Sequence, residues 1–226
     1  MRTRRTKYTR TYGRTRVRSM NLSIMENNPY LCQTIELEKL NQWESLHLEI
    51  GFGNGENLLH RVAQFPNTLQ VGVDVYKNGI CKILSSIKNN HMNNLILVPM
   101  DVREFLDVNP ELYFHHIYIM FPDPWHKKSE KKREKKRLVN KEFLQQLYHL
   151  LSPNGYIVFA SDHKDYYENV KIFFNEIGLS SPNHPLGIKS DRVNNYGDYF
   201  PEGYFVPSNY EKKATNDCYY LIVKKQ

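Results

Sequence analysis

Three glycines in five residues, Gly51, Gly53 and Gly55, separate a strand-like run from a helix-like run, and an acidic residue, Asp74, follows the last of them by nineteen positions. Leu46-His47-Leu48-Glu49-Ile50 alternates with the period of a strand, whereas Leu58, Leu59, Val62 and Phe65 recur at helical spacing. The glycines therefore fall in a strand-to-helix turn, where a missing Cβ lets the backbone approach a ligand closely. A carboxylate closing the second apolar run stands where it can accept from ribose hydroxyls. These constraints predict an α/β fold with a nucleoside site at one edge of its sheet.

The spacing narrows the nucleoside. Dinucleotide sites of this architecture usually follow G-x-G-x-x-G, whereas here the loop is E-x-G-x-G-x-G, which fits a ligand without a pyrophosphate. Glu49, Asp74, Asp101 and Asp123 are four carboxylates expected around it. They would repel phosphates and suit the sulfonium and ammonium groups of S-adenosylmethionine, which disfavours an NAD-dependent oxidoreductase. The residues thus point to a class I methyltransferase site, with a plain core turn as the competing reading of the glycines.

Further apolar runs at 69–75, 95–100, 116–121 and 155–160 read as strands, and helical spacing recurs over 77–89, 140–151 and 164–177. The alternation predicts a Rossmann-like, class I S-adenosylmethionine-dependent methyltransferase fold. Its sheet is expected to be mostly parallel and doubly wound, with helices on both faces. Residues 35–43 read as a short helix or loop, and Pro153-Asn154-Gly155 as a turn before the fifth strand. Cys218 to Val223 reads as an antiparallel edge strand at the C-terminus. The expected organisation is a basic tail over 1–25 and one domain over 26–226, with a substrate-side loop at about 181–213.

The net charge of +7 is unevenly distributed. Residues 1–20 carry eight bases and no acid, and residues 127–137 carry eight bases against Glu130 and Glu134, while the remainder of the chain is acidic. Two concentrated basic segments on an acidic body suit a polyanion met at defined places, so nucleic acid is the expected partner. A disordered tail or an organelle presequence is the alternative for the first, and a solvated helix face for the second. Cys32, Cys81 and Cys218 form no C-x-x-C pair, and the nine histidines form no H-x-x-x-H, so neither disulfide nor metal is expected. No apolar stretch approaches the roughly 20 residues that span a bilayer, and a cytoplasmic protein without membrane contact is expected.

The fourth strand runs out through Phe121-Pro122-Asp123-Pro124-Trp125-His126-Lys127-Lys128, two prolines fixing one aspartate ahead of the basic run. Together with L-E-I-G-F-G-N-G, the Asp101 strand end, Ala160-Ser161-Asp162 and Ser208-Asn209-Tyr210-Glu211, it resembles the bacterial tRNA (guanine-N(7)-)-methyltransferases from about residue 45 onward. The resemblance implies S-adenosylmethionine contacts at Glu49, Gly51, Gly53, Gly55, Asp74, Asp101 and Asp123, with Asp123 also catalytic. It implies substrate tRNA contacts at Lys127, Asp162, Ser208, Asn209, Tyr210 and Glu211. Lys128, Lys131, Lys132, Arg133, Lys135, Lys136 and Arg137 match its RNA-contacting basic segment. Ser208 stands where the family usually has Thr, and the run after Ser129 is a few residues longer than usual. Trp125 points to the bacterial type, which acts without a WD-repeat partner, as a monomer or homodimer.

What the resemblance implies is methyl transfer to N7 of a guanine in the tRNA variable loop. That nitrogen has a lone pair and no proton, so positioning matters more than a strong base. Asp123 is expected to orient the guanine and to stabilise the positive charge that develops on it. A methyltransferase of another RNA or a non-RNA acceptor, or a noncatalytic RNA-binding protein, is the alternative.

Overall fold

Leu48, Val71 and Ile117 lie side by side on three adjacent parallel strands, all of them fully buried. In the computed structural model, which describes residues 23–87, 92–125, 137–177, 188–190 and 218–225, they mark the centre of the sheet. The chain runs β1 (Ser45–Ile50), α1 (Glu56–Gln64), β2 (Thr68–Val73), α2 (Lys77–Ser86), β3 (Leu95–Val98) and α3 (Val102–Val108). It continues with β4 (Phe114–Met120), α4 (Lys141–His149), β5 (Leu151–Ser161), α5 (Lys164–Glu176), β6 (Ile188–Ser190) and β7 (Cys218–Lys224). The strand order is β3-β2-β1-β4-β5-β7-β6, parallel from β3 to β5.

Side-chain alternation assigns the faces. Leu46, Leu48 and Ile50 join Phe105 of α3, Phe143, Leu144 and Leu147 of α4, and Val170 and Phe174 of α5 in one core. The opposite face buries Leu58 and Val62 of α1 with Ile80, Ile83 and Leu84 of α2. Helices on both faces are what a parallel sheet needs, because each strand is apolar on both sides. Truncating a fully buried Leu144 or Leu147 would cost about 2–5 kcal/mol.

The C-terminal strand β7 is antiparallel to β5 as expected, and the three-residue β6 pairs outside it. Two local features differ from the sequence reading. Helix α3 is additional: Asp101 caps it, and Val102, Phe105 and Leu106 face the core at i, i+3 and i+4 spacing. Pro153-Asn154-Gly155 lies inside β5, where the pairing with β4 slips from Phe114–Leu151 to His116–Tyr156 and Asn154 takes a φ of 62°. The turn residues thus form a bulge in the strand, closed by Lys225 N donating to Gly155 O at 2.8 Å.

Residues 35–43 contain one 3-10 turn, Leu37–Leu40. Ile24, Met25, Tyr30 and Leu31 pack against the α1–α2 core, and Cys32 N donates to Leu97 O of β3. The remainder of the basic tail lies outside the described residues, as does the 181–213 loop apart from β6. Cys81 and Cys218 are buried and Cys32 is half-buried, and no disulfide joins them. Among the described residues no helix is long and apolar enough to cross a membrane.

Candidate cofactor and substrate site

The strand order reverses between β1 and β4, so their carboxyl ends open a crevice, the place where open α/β sheets bind ligands. The loop leaving β1 forms one wall. Gly51, Gly53 and Gly55 have φ of 73°, 56° and 79°, a region costly for residues with a Cβ. The space where a Cβ would stand at Gly51 and Gly53 is open, while at Gly55 it is filled by Ile83. Two glycines thus expose backbone to the crevice, and the third seats the loop on α2.

The end of β2 fixes that loop. Asp74 accepts from Gly53 N through Oδ2 and from Tyr76 N through Oδ1, both at 2.8 Å. Burial raises its carboxyl above the ordinary range, with Asp123 adding to the rise across the crevice and backbone donors from Tyr76, Gly53 and Val75 opposing it. Asp101 accepts from Arg103 N at 2.9 Å as the cap of α3. Asp162 is half-buried just past β5, beside Ser161, whose Oγ accepts from His163 N at 3.1 Å.

Glu49 lies beneath the loop, buried and ion-paired to Arg61 of α1. Arg61 is fully buried with its guanidinium 3.9 Å from the Tyr118 ring centroid, and its Nε and Nη1 make no hydrogen bond. Burial raises the Glu49 carboxyl, and Arg61 opposes that rise. Strand alternation explains the placement: Leu48 faces the α3–α5 core, so Glu49, the next residue, points to the opposite face, which α1 covers. Arg61 was missed by sequence reading. Its signal was its position between Leu58 and Val62 on the buried stripe of α1.

Asp123 leaves the end of β4 exposed to solvent between two backbone distortions. Phe121 and Trp125 have φ of 53° and 48°, a left-handed conformation that costs bulky residues about 1–3 kcal/mol each. Phe121 is held by its N donating to Ala160 O at 2.9 Å and by edge contact with Tyr220. Pro122 and Pro124 restrict the residues between these anchors further. The aspartate is therefore presented on a stiff turn across the crevice from Asp74.

A family model described as "Putative methyltransferase" matches residues 43–197. A tRNA (guanine-N(7)-)-methyltransferase of Neorickettsia sennetsu is 33% identical over 171 residues, which cover 75% of this chain and 76% of that protein. The chain belongs to the tRNA (guanine-N(7)-)-methyltransferase family. A protein of Rickettsia conorii named Bifunctional methyltransferase is 36% identical over 179 residues, 78% of this chain and 32% of its own length, so this chain spans about a third of that relative. Among solved structures, precorrin-6y C5,15-methyltransferase of Geobacter metallireducens shares the fold. Its TM-score is 0.51 at 16% identity, covering 84% of this chain and 86% of that one.

In this tRNA (guanine-N(7)-)-methyltransferase family member, the Gly loop, Asp74 and Asp123 face one crevice, with Asp101 and Asp162 at the same edge of the sheet. Lys127, Lys128, Lys131, Lys132, Arg133, Lys135, Lys136, Ser208, Asn209, Tyr210 and Glu211 lie outside the described residues. Arg137, the last residue of the expected RNA-contacting run, lies within the described residues. It is 8% exposed, its Nε donates to Pro124 O at 2.9 Å, and its guanidinium sits 4.7 Å from the Tyr166 ring centroid. The reason lies next door: Val139 is in the core, so the chain has already turned inward at Arg137.

Proposed function

We propose that this chain transfers the methyl group of S-adenosylmethionine to N7 of a guanine in the variable loop of tRNA, forming 7-methylguanosine. The observation that carries the reading is the meeting of the glycine loop, Asp74 and Asp123 at the β1–β4 crevice, in a chain of this family.

The residues present fit the cofactor. Open backbone at Gly51 and Gly53 gives room for a nucleoside, Asp74 offers a carboxylate for its ribose hydroxyls, and Asp101 lies one strand further along for the adenine amine. Glu49 acts from below, its charge shared with Arg61. When bound, S-adenosylmethionine supplies a methyl group activated by its sulfonium.

Asp123 is the group that meets the base. It accepts from guanine N1–H and the exocyclic amine, which aims N7, and its negative charge offsets the positive charge the purine gains as the N7–carbon bond forms and the carbon–sulfur bond breaks. No proton leaves N7, so no general base is required at this step. Asp162, Lys127 and Ser208 to Glu211 complete the substrate side, and the bases from Lys128 to Lys136 neutralise phosphates.

The protein then works in the cytoplasm as a monomer or homodimer without a WD-repeat partner, its tail over 1–25 preceding one domain over 26–226. The test is incubation with methyl-labelled S-adenosylmethionine and, separately, unmodified tRNA, tRNA-free protein extract and a small-molecule pool. Label is expected in tRNA alone; label in another pool with none in tRNA would refute the reading.

A further inference from the structure

Three hydrogen bonds and one cation–π contact converge on residues 137–139. Arg137 Nε donates to Pro124 O at 2.9 Å with its guanidinium over the Tyr166 ring. Leu138 O accepts from Arg103 Nη2 at 3.0 Å, and Val139 N donates to Tyr166 Oη at 3.1 Å. Pro124 belongs to the Asp123 turn, Arg103 to the helix capped by Asp101, and Tyr166 to the helix that follows Asp162. One short segment is thus bonded to three elements that each carry an acid of the candidate site.

We infer that Arg137 is a positioning residue, which fixes Pro124 and through it the Asp123 carboxylate, and not a phosphate contact like the bases before it in sequence. Geometry supports the distinction. The residue is 8% exposed, so little of it is offered to a phosphate, and its charge is already used between a carbonyl and an aromatic face. Asp123 is flanked by two residues in left-handed conformations, and such a turn keeps one shape only when neighbouring contacts determine it. On the β4 side Phe121 is held by Ala160 O and Tyr220; on the other side the bond from Arg137 to Pro124 O does the same work.

The inference uses the methyl-transfer reading for its kinetic readout only, and a second readout is independent of it. In a Trp43→Phe background Trp125 is the one tryptophan left and reports the Asp123 turn directly. There, Arg137→Ala is expected to raise acrylamide quenching of Trp125 with S-adenosylmethionine affinity nearly unchanged. In the chain with Trp43 intact, Arg137→Ala should lower the single-turnover rate at saturating tRNA and cofactor by roughly 10- to 100-fold. The salt slope of tRNA binding should stay the same. Arg137→Lys keeps the charge without the planar fork, serves as the second variant should Arg137→Ala fail to fold, and should restore little of the rate.

Unchanged quenching together with an unchanged rate would overturn the inference. So would a salt slope reduced by about one unit with recovery in Arg137→Lys, the behaviour of a phosphate contact. Absence of methyl transfer by the unsubstituted protein would refute the proposed function, while Trp125 quenching would still decide the role of Arg137.

Discussion

The Gly53 amide donates to Asp74 Oδ2 at 2.8 Å, joining the first strand's loop to the acid that ends the second. In the proposed function Asp74 has two tasks, shaping the loop and meeting the cofactor ribose. Asp74→Ala should weaken S-adenosylmethionine binding at least 10-fold in calorimetry, the worth of roughly 1.4 kcal/mol, with tRNA affinity nearly unaltered. Loss of tRNA affinity with intact cofactor binding would place Asp74 on the substrate side.

The Arg61–Glu49 pair predicts a stability effect. Arg61→Met leaves Glu49 without its counter-charge in a buried position, which should cost about 3–5 kcal/mol in urea unfolding. Adding Glu49→Gln removes the stranded charge and should recover part of the loss. If the second substitution only adds to the first, the pair is not coupled as described.

Acid should destabilise the protein through two histidines under α1. The His47 and His116 rings lie 4.3 Å apart at their centroids. Burial first, and then neighbouring positive groups, lower His47 well below its ordinary value of 6.5 and His116 to about 4. Because both folded values are depressed, the unfolded chain binds protons first as the pH falls. Stability is fully present above pH 6.5 and declines between there and about 4, by on the order of 3 kcal/mol for His116. His116→Gln should flatten that decline in denaturant midpoints measured across the window; an unchanged pH slope would contradict the assignment.

Legibility in the sequence follows how local each feature is. The glycine loop, Asp74 and the Asp123 turn were readable because backbone conformation and strand ends are set by residues within a few positions. Helix α3 was not, since its seven residues, Val102–Val108, span fewer than two turns and its capping Asp101 was read only as a ligand residue. Pro153-Asn154-Gly155 carries turn chemistry that the pairing of β5 with β4 and β7 absorbs as a bulge. The roles of Arg61 and Arg137 depend on packing: each has its partner twelve or thirteen residues away, on a different element or turn. An arginine in a basic run looks like its neighbours until the burial of Val139 is known.

Asp123 should matter for turnover more than for binding. Asp123→Asn keeps size and hydrogen-bonding reach while removing the charge proposed to offset that of the methylated purine. It should lower the single-turnover rate by roughly 100- to 1000-fold, with cofactor affinity changed far less. A full rate at saturating cofactor would return Asp123 to a structural role.

The most direct measurement is nucleoside analysis of unmodified tRNA after incubation with the protein and S-adenosylmethionine. The account predicts 7-methylguanosine, formed by the unsubstituted protein and nearly absent with Asp123→Asn. A different methylated nucleoside, or no methylated nucleoside at all, would contradict it.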